Sequence, residues 1–273
     1  MKNLQNLHMH STFCDGRDTP EETVRAAIAR GFDAIGFSSH SYMYYTPTFA
    51  VPMKEPGDRT YRAEIRRLQK AYEGRIDVFC GLEFDMYSVC DLTDYDYLIG
   101  SVQYLKIGEE LVGFDRSAEV VQGIITNHFG GDGMAYALAY YRTLAELPQY
   151  GNFDIIGHFD IITKHADKVR FFDEDAPVYR HAATEAAEAL AGKIPFFEVN
   201  TGAMSRYGRA VPYPPLFLMK ELRRLGFGAI ISSDCHNNRY LDFGFETARE
   251  LLAAAGFRER YILTKDGFRA VEL

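Results

Sequence analysis

Two histidines flank one methionine at His8-Met9-His10, and Asp234-Cys235-His236 repeats that spacing near the far end of the chain. In an extended strand, residues two apart face the same side, so each pair can present two donors to one ion while Met9 and Cys235 face away. A single pair of this kind reads as ordinary polar residues at a strand edge. Two pairs, joined by His40, Glu83 and His158 at the ends of other apolar runs, point to metal binding instead; five of the eight histidines fall at such ends. Carboxylates mixed with imidazoles suit Zn, Mn or Fe, and the absence of a Cys-x-x-Cys pair argues against a structural zinc knuckle. Several divalent ions in one acidic cleft would acidify a bridging water and neutralise the oxygens of a phosphoester during in-line attack. Asp15 reads either as a turn residue before Gly16 or as a further carboxylate beside the same cavity. Arg206 and Arg209 read as a phosphate clamp or as a solvated loop, and Asn200 as a ligand-orienting amide or a loop cap. Cys14 and Cys235 are expected to point away as packing residues, and His128, His165 and His181 to lie at the surface or in local hydrogen bonds.

Such residues need a frame that brings distant positions together. Short apolar runs at 4–8, 34–38, 77–82, 97–102, 154–157, 196–199 and 229–232 alternate with helical patterns at 19–30, 61–72, 117–127, 134–147, 176–191, 215–225 and 243–255. The runs are continuous and not alternating, which suits strands buried on both faces of a parallel sheet. Seven strand-helix units and a closing hairpin at 261–273 predict an α/β barrel more than an open doubly wound sheet, with all C-terminal strand ends on one face. No Gly-x-Gly-x-x-Gly follows the first strand, so a dinucleotide site is unsupported. The stretch from Tyr42 to Arg59, with Pro47, Pro52, Pro56 and the aromatics Tyr42, Tyr44, Tyr45 and Phe49, reads as a long loop over one end of the barrel, a lid.

The chain has 273 residues, 47% of them hydrophobic, and a net charge of -8. That composition belongs to a folded protein, and with no low-complexity linker residues 1–273 are expected to form a single domain. The acidic balance opposes nucleic-acid and membrane-surface binding, so the expected partner is a small substrate. With four cysteines read as reduced thiols, no secretory leader and no apolar run long enough to span a membrane, the expected compartment is the cytoplasm.

His8-Met9-His10-Ser11, Asp15-Gly16, Ser39-His40, Gly81-Leu82-Glu83, Ile156-Gly157-His158, Glu198-Val199-Asn200-Thr201-Gly202 and Ser233-Asp234-Cys235-His236, in that order, resemble the motifs of the PHP (polymerase and histidinol phosphatase) superfamily. Chain length, the Asn-Thr-Gly-Ala-x-x-Arg stretch and the closing hairpin look most like its histidinol-phosphatase branch. The resemblance implies a distorted (β/α)7 barrel whose metal site lies at the C-terminal strand ends, and hydrolysis of L-histidinol phosphate to histidinol in histidine biosynthesis. By position it implies one ion on His8, His10, Glu83 and Asp234, a second bridged by Glu83 and held by His158, and a third on Asp15, His40 and His236. Where the family reads Gly-Ser-Val-His, this chain reads Gly100-Ser101-Val102-Gln103, so the second ion loses an imidazole and Gln103 is at most a weak ligand. The count is then two or three ions per chain.

The leading expectation is a metal-dependent phosphatase using metal-activated hydroxide, with Asp234 as proton acceptor and Arg206 and Arg209 on the phosphate, acting as a monomer or small homo-oligomer. The alternatives are the same chemistry on another small phosphoester, or a degenerate member that binds metal or ligand without turnover.

Overall fold

The computed structural model describes residues 3–41 and 55–273. Its central sheet has seven strands in the order β1 (Gln5–Asn6), β2 (Ala34–His40), β3 (Asp77–Asp85), β4 (Tyr97–Ser101), β7 (Ile155–Ile156), β8 (Phe196–Asn200) and β9 (Gly228–Ser232). Every pairing within it is parallel. The outer strands meet through a parallel bridge between Met9 and Cys235, with the His10 N–H donating to the Cys235 carbonyl at 2.9 Å. The sheet is therefore a nearly closed, distorted (β/α)7 barrel, as the strand-helix rhythm predicts.

Around it lie α1 (Pro20–Ala29), α2 (Glu55–Ala71), α3 (Ala118–His128), α4 (Gly133–Ala145), α5 (Pro177–Leu190), α7 (Leu216–Arg224) and α8 (Phe245–Ala255). Local sequence starts and stops them. Thr19 and Glu22 form a reciprocal capping box ahead of α1, and Pro20 fills its first position, where no hydrogen bond from its nitrogen is required.

Three elements escaped the periodicity. A hairpin of β5 (Tyr104–Ile107) and β6 (Glu110–Gly113) follows β4, and the short helix α6 (Gly202–Tyr207) occupies what reads as a loop after β8. Helix α2 begins at Glu55, so 55–59 are helix and not part of the long loop; the rest of that loop, with Tyr42, Tyr44, Tyr45 and Phe49, lies outside the described residues.

The barrel interior has two layers. At the N-terminal end Leu7, Phe79, Tyr97, Ile99, Ile155, Phe196, Ile230 and Leu263 form an apolar plug. Tyr97 fits because its neighbours are small: a Cβ on Gly81 would sit 2.2 Å from its ring and one on Gly36 2.5 Å from its hydroxyl. That hydroxyl donates to the carbonyls of Leu7 and Phe37. Beneath the plug lies the antiparallel pair β10 (Glu259–Thr264) and β11 (Gly267–Glu272), which supplies Leu263 and packs the tilted rings of Tyr261 and Phe268 against Phe196. Two inward steps along β3, Glu83 replaces Gly81 and Phe79, and inside β8 Glu198 follows Phe196. The upper layer is polar, and there the candidate site lies.

Candidate metal centre

The strand ends deliver their side chains to one point. Glu83 Oε2 lies 3.4 Å from His8 Nε2, 3.5 Å from His10 Nε2 and 2.9 Å from His40 Nδ1. Asp234 Oδ1 is 3.1 Å from His10 Nε2 and 3.7 Å from His8 Nε2. On the outer side Asp15 sits 3.6 Å from His40 and 3.1 Å from His236, and the His10 and His236 rings stack at 4.1 Å.

The donor set fits divalent ions on a specific ground. His8 Nε2, His10 Nε2 and Glu83 Oε2 are buried atoms without a hydrogen-bond partner. Buried polar groups are costly when left unmatched, and three such atoms facing one another are what a cation would satisfy. Among the described residues, potential ligand atoms gather in two groups: His10, Asp15, His40 and His236, and His8, His10 and Asp234.

The electrostatics follow from burial among opposite charges. Burial works against a carboxylate at Glu83, but His8 and His40 more than offset it and hold the group well below its ordinary range. Burial likewise disfavours a charged His8, and Glu198, Asp234 and Glu83 outweigh that and raise it. His236 has little such support; burial and the adjacent His10 push it down to about 4. Asp234 is held low by Arg206 and His8 against its burial, which suits a ligand.

Asp234 also differs from the expected geometry. Strand β9 ends at Ser232, and Asp234 has φ of 46°, so a left-handed kink rather than strand alternation turns it and His236 inward. Asn200 supports that kink, donating to Asp234 Oδ2 at 3.3 Å and to Glu198 at 2.8 Å while accepting the Gly202 N–H. Arg206 reaches the centre from α6, but its guanidinium donates to both oxygens of Asp234, at 2.8 and 3.2 Å, and contacts His236. Arg209 is not brought to the cluster: it is buried, donates to the carbonyl and hydroxyl of Thr163 and lies over the Tyr213 ring. His158 and Gln103 both approach the other oxygen of Glu83, Oε1, at 2.9 and 3.0 Å.

Sequence reasoning missed four contributors. Glu198, fully buried, accepts from His8 Nδ1, fixing that ring from behind. Its signal was present, since it occupies a polar inward position on an otherwise apolar strand. Cys14 does not point away: its sulfur lies 3.4 Å from His10 Nδ1, and His10 lowers the thiol to about 6 despite its burial. A cavity of about 700 Å³ opens beside Asp15, His40 and Gln103, and buried Lys164 and His165 line it with Asp115 and Arg116. Lys164 pairs with Asp115, and His165 meets the Arg116 carbonyl. Only the 3-10 turn Ile161–Thr163, invisible to periodicity, brings those two residues there.

Residues 6–202 match the model of the PHP domain. A protein of Deinococcus radiodurans named probable histidinol-phosphatase is 30% identical over 269 residues, covering 94% of this chain and 96% of that protein. The histidinol-phosphatase of Lactococcus lactis is 28% identical over 273 residues, covering 95% and 93% respectively. Among solved structures, the histidinol phosphate phosphatase of Lactococcus lactis, complexed with zinc, L-histidinol and phosphate, shares the fold with a TM-score of 0.72 at 23% identity over 98% of this chain and 99% of that one.

Proposed function

Because the chain belongs to the PHP domain family, we propose that it is a divalent-metal-dependent phosphomonoesterase that converts L-histidinol phosphate and water to L-histidinol and phosphate. The observation that carries this reading is the convergence of partnerless His8 Nε2, His10 Nε2 and Glu83 Oε2 beside a cavity large enough for a small phosphoester. Full-length similarity to relatives named histidinol-phosphatase supports the substrate.

Divalent ions held there supply Lewis acidity, which acidifies water and offsets the charge of phosphate oxygens. His8, His10, Glu83 and Asp234 would hold one ion, and Asp15, His40 and His236 would hold another. Glu198 keeps the proton of His8 on Nδ1, so that Nε2 presents a lone pair. Arg206 and Asn200 fix Asp234 in place. The alcohol portion of the substrate lies in the cavity. There Lys164 is paired with Asp115, and the further carboxylate of Glu119 suits a leaving group that carries positive charge, as histidinol does. Residues 1–273 act as one catalytic barrel, in the cytoplasm, in histidine biosynthesis. Among the described residues no helix is long and apolar enough to cross a membrane.

The test is phosphate release from L-histidinol phosphate by chelator-stripped protein resupplied separately with Zn, Mn or Fe. Metal-dependent release is expected. Bound metal without release under all three ions would overturn the substrate, and release insensitive to chelation would overturn the metal centre.

A further inference from the structure

The two oxygens of Glu83 have different surroundings. Oε2 has no hydrogen-bond partner and faces His8, His10 and His40. Oε1 is occupied: His158 Nε2 lies 2.9 Å away, and Gln103 Nε2 donates to it at 3.0 Å. An amide turned nitrogen-first towards a carboxylate is a donor, and a donor cannot ligate a cation. Turned oxygen-first, the neutral amide would give up that hydrogen bond and set its carbonyl dipole against the carboxylate. The main chain of Gln103 is fixed beside Glu83, its N–H donating to Asp85 at 2.8 Å and its carbonyl accepting from the Phe114 N–H at 3.2 Å.

We infer that this centre holds two ions, with Glu83 ligating through Oε2 alone, and that His158 and Gln103 are positioning residues which saturate Oε1 where a third ion would otherwise bridge. The inference rests on the metal-centre reading above and departs from the ligand set that the family resemblance implies. It explains both features of Glu83 at once: one oxygen bare within a cage of imidazoles, the other doubly hydrogen-bonded.

The experiment is a count. Protein produced with ample zinc is dialysed and its metal content measured by elemental analysis, and stripped protein is titrated calorimetrically. Two ions per chain are expected for the native protein and for His158→Ala. Gln103→His is expected to gain a third, since an imidazole brings a lone pair where the amide brings hydrogens. Three ions in the native chain, loss of an ion in His158→Ala, or no gain in a folded Gln103→His protein overturns the inference and leaves the hydrolase reading intact. Absence of any bound metal overturns both. Phosphate release from the same samples reports the activity separately.

Discussion

Replacing Glu198 with glutamine isolates one structural claim. The native carboxylate accepts from the His158 N–H at 2.6 Å, Asn200 Nδ2 at 2.8 Å, Ser232 Oγ at 2.5 Å and His8 Nδ1 at 2.9 Å. A glutamine has one accepting oxygen and one donating nitrogen, so half of these contacts must change sign. The backbone N–H of His158 can only donate, which keeps the amide oxygen at the Oε1 place and puts the nitrogen against Ser232 and His8. The hydroxyl can rotate to accept. His8 Nδ1 keeps its longer contact, 3.1 Å, to the oxygen at the Oε1 place but meets amide hydrogens where its 2.9 Å acceptor was, and it relieves that clash only by moving its proton to Nε2, the atom that faces Glu83 and Asp234. Losing such a supporting partner lowers metal affinity about 10–100-fold, which is roughly 1.4–2.8 kcal/mol of binding free energy. Competition against a chromophoric chelator measures this directly, with Ser232→Ala as a control that removes one hydrogen bond without reversing the polarity at His8. Affinity within about twofold of native in Glu198→Gln would refute the tautomer argument.

Other perturbations have distinct readouts. His10→Ala removes a donor from both ligand groups, so metal-dependent phosphate release should vanish; retained turnover would sink the assignment. Arg206→Ala leaves Asp234 without its bidentate partner, and both weaker metal binding and a higher KM are expected, whereas unchanged values of both would reject its role. Gly81→Ala drives a methyl into the Tyr97 ring and should cost about 1–3 kcal/mol of stability, read as a lower denaturation midpoint with metal affinity nearly preserved. Chelation should lower the melting temperature, because an ion present at 1,000 times its Kd contributes about 4 kcal/mol to the folded state; an unmoved melting curve would contradict a filled centre.

The barrel was legible because its strands are continuous apolar runs, and each run ends in the residue that the parallel arrangement delivers to a common face. His8, His40, Glu83 and His158 could be placed that way. What stayed hidden depends on backbone that breaks period. Asp234 reaches the centre through a positive φ that no alternation rule anticipates. Lys164 and His165 follow directly on a single 3-10 turn, Ile161–Thr163. Arg206 and Arg209 looked equivalent in sequence, three residues apart, but α6 ends between them at Gly208, which sends Arg206 to Asp234 and Arg209 to Thr163. The role of Gln103 was visible as a departure from a motif, whereas the direction of its amide requires the position of Glu83.

The ring closes between the two ends of the chain. Asn6 hydrogen-bonds Ser233, 227 residues later, and Gln5 exchanges hydrogen bonds with Leu263 across 258. During synthesis the N-terminal half must wait, with His8 and His10 uncovered, until almost the whole chain has left the ribosome. Each group of donor atoms is completed by a residue from the late part of the chain, Asp234 in one and His236 in the other, so a fragment that stops short of them lacks a ligand of both.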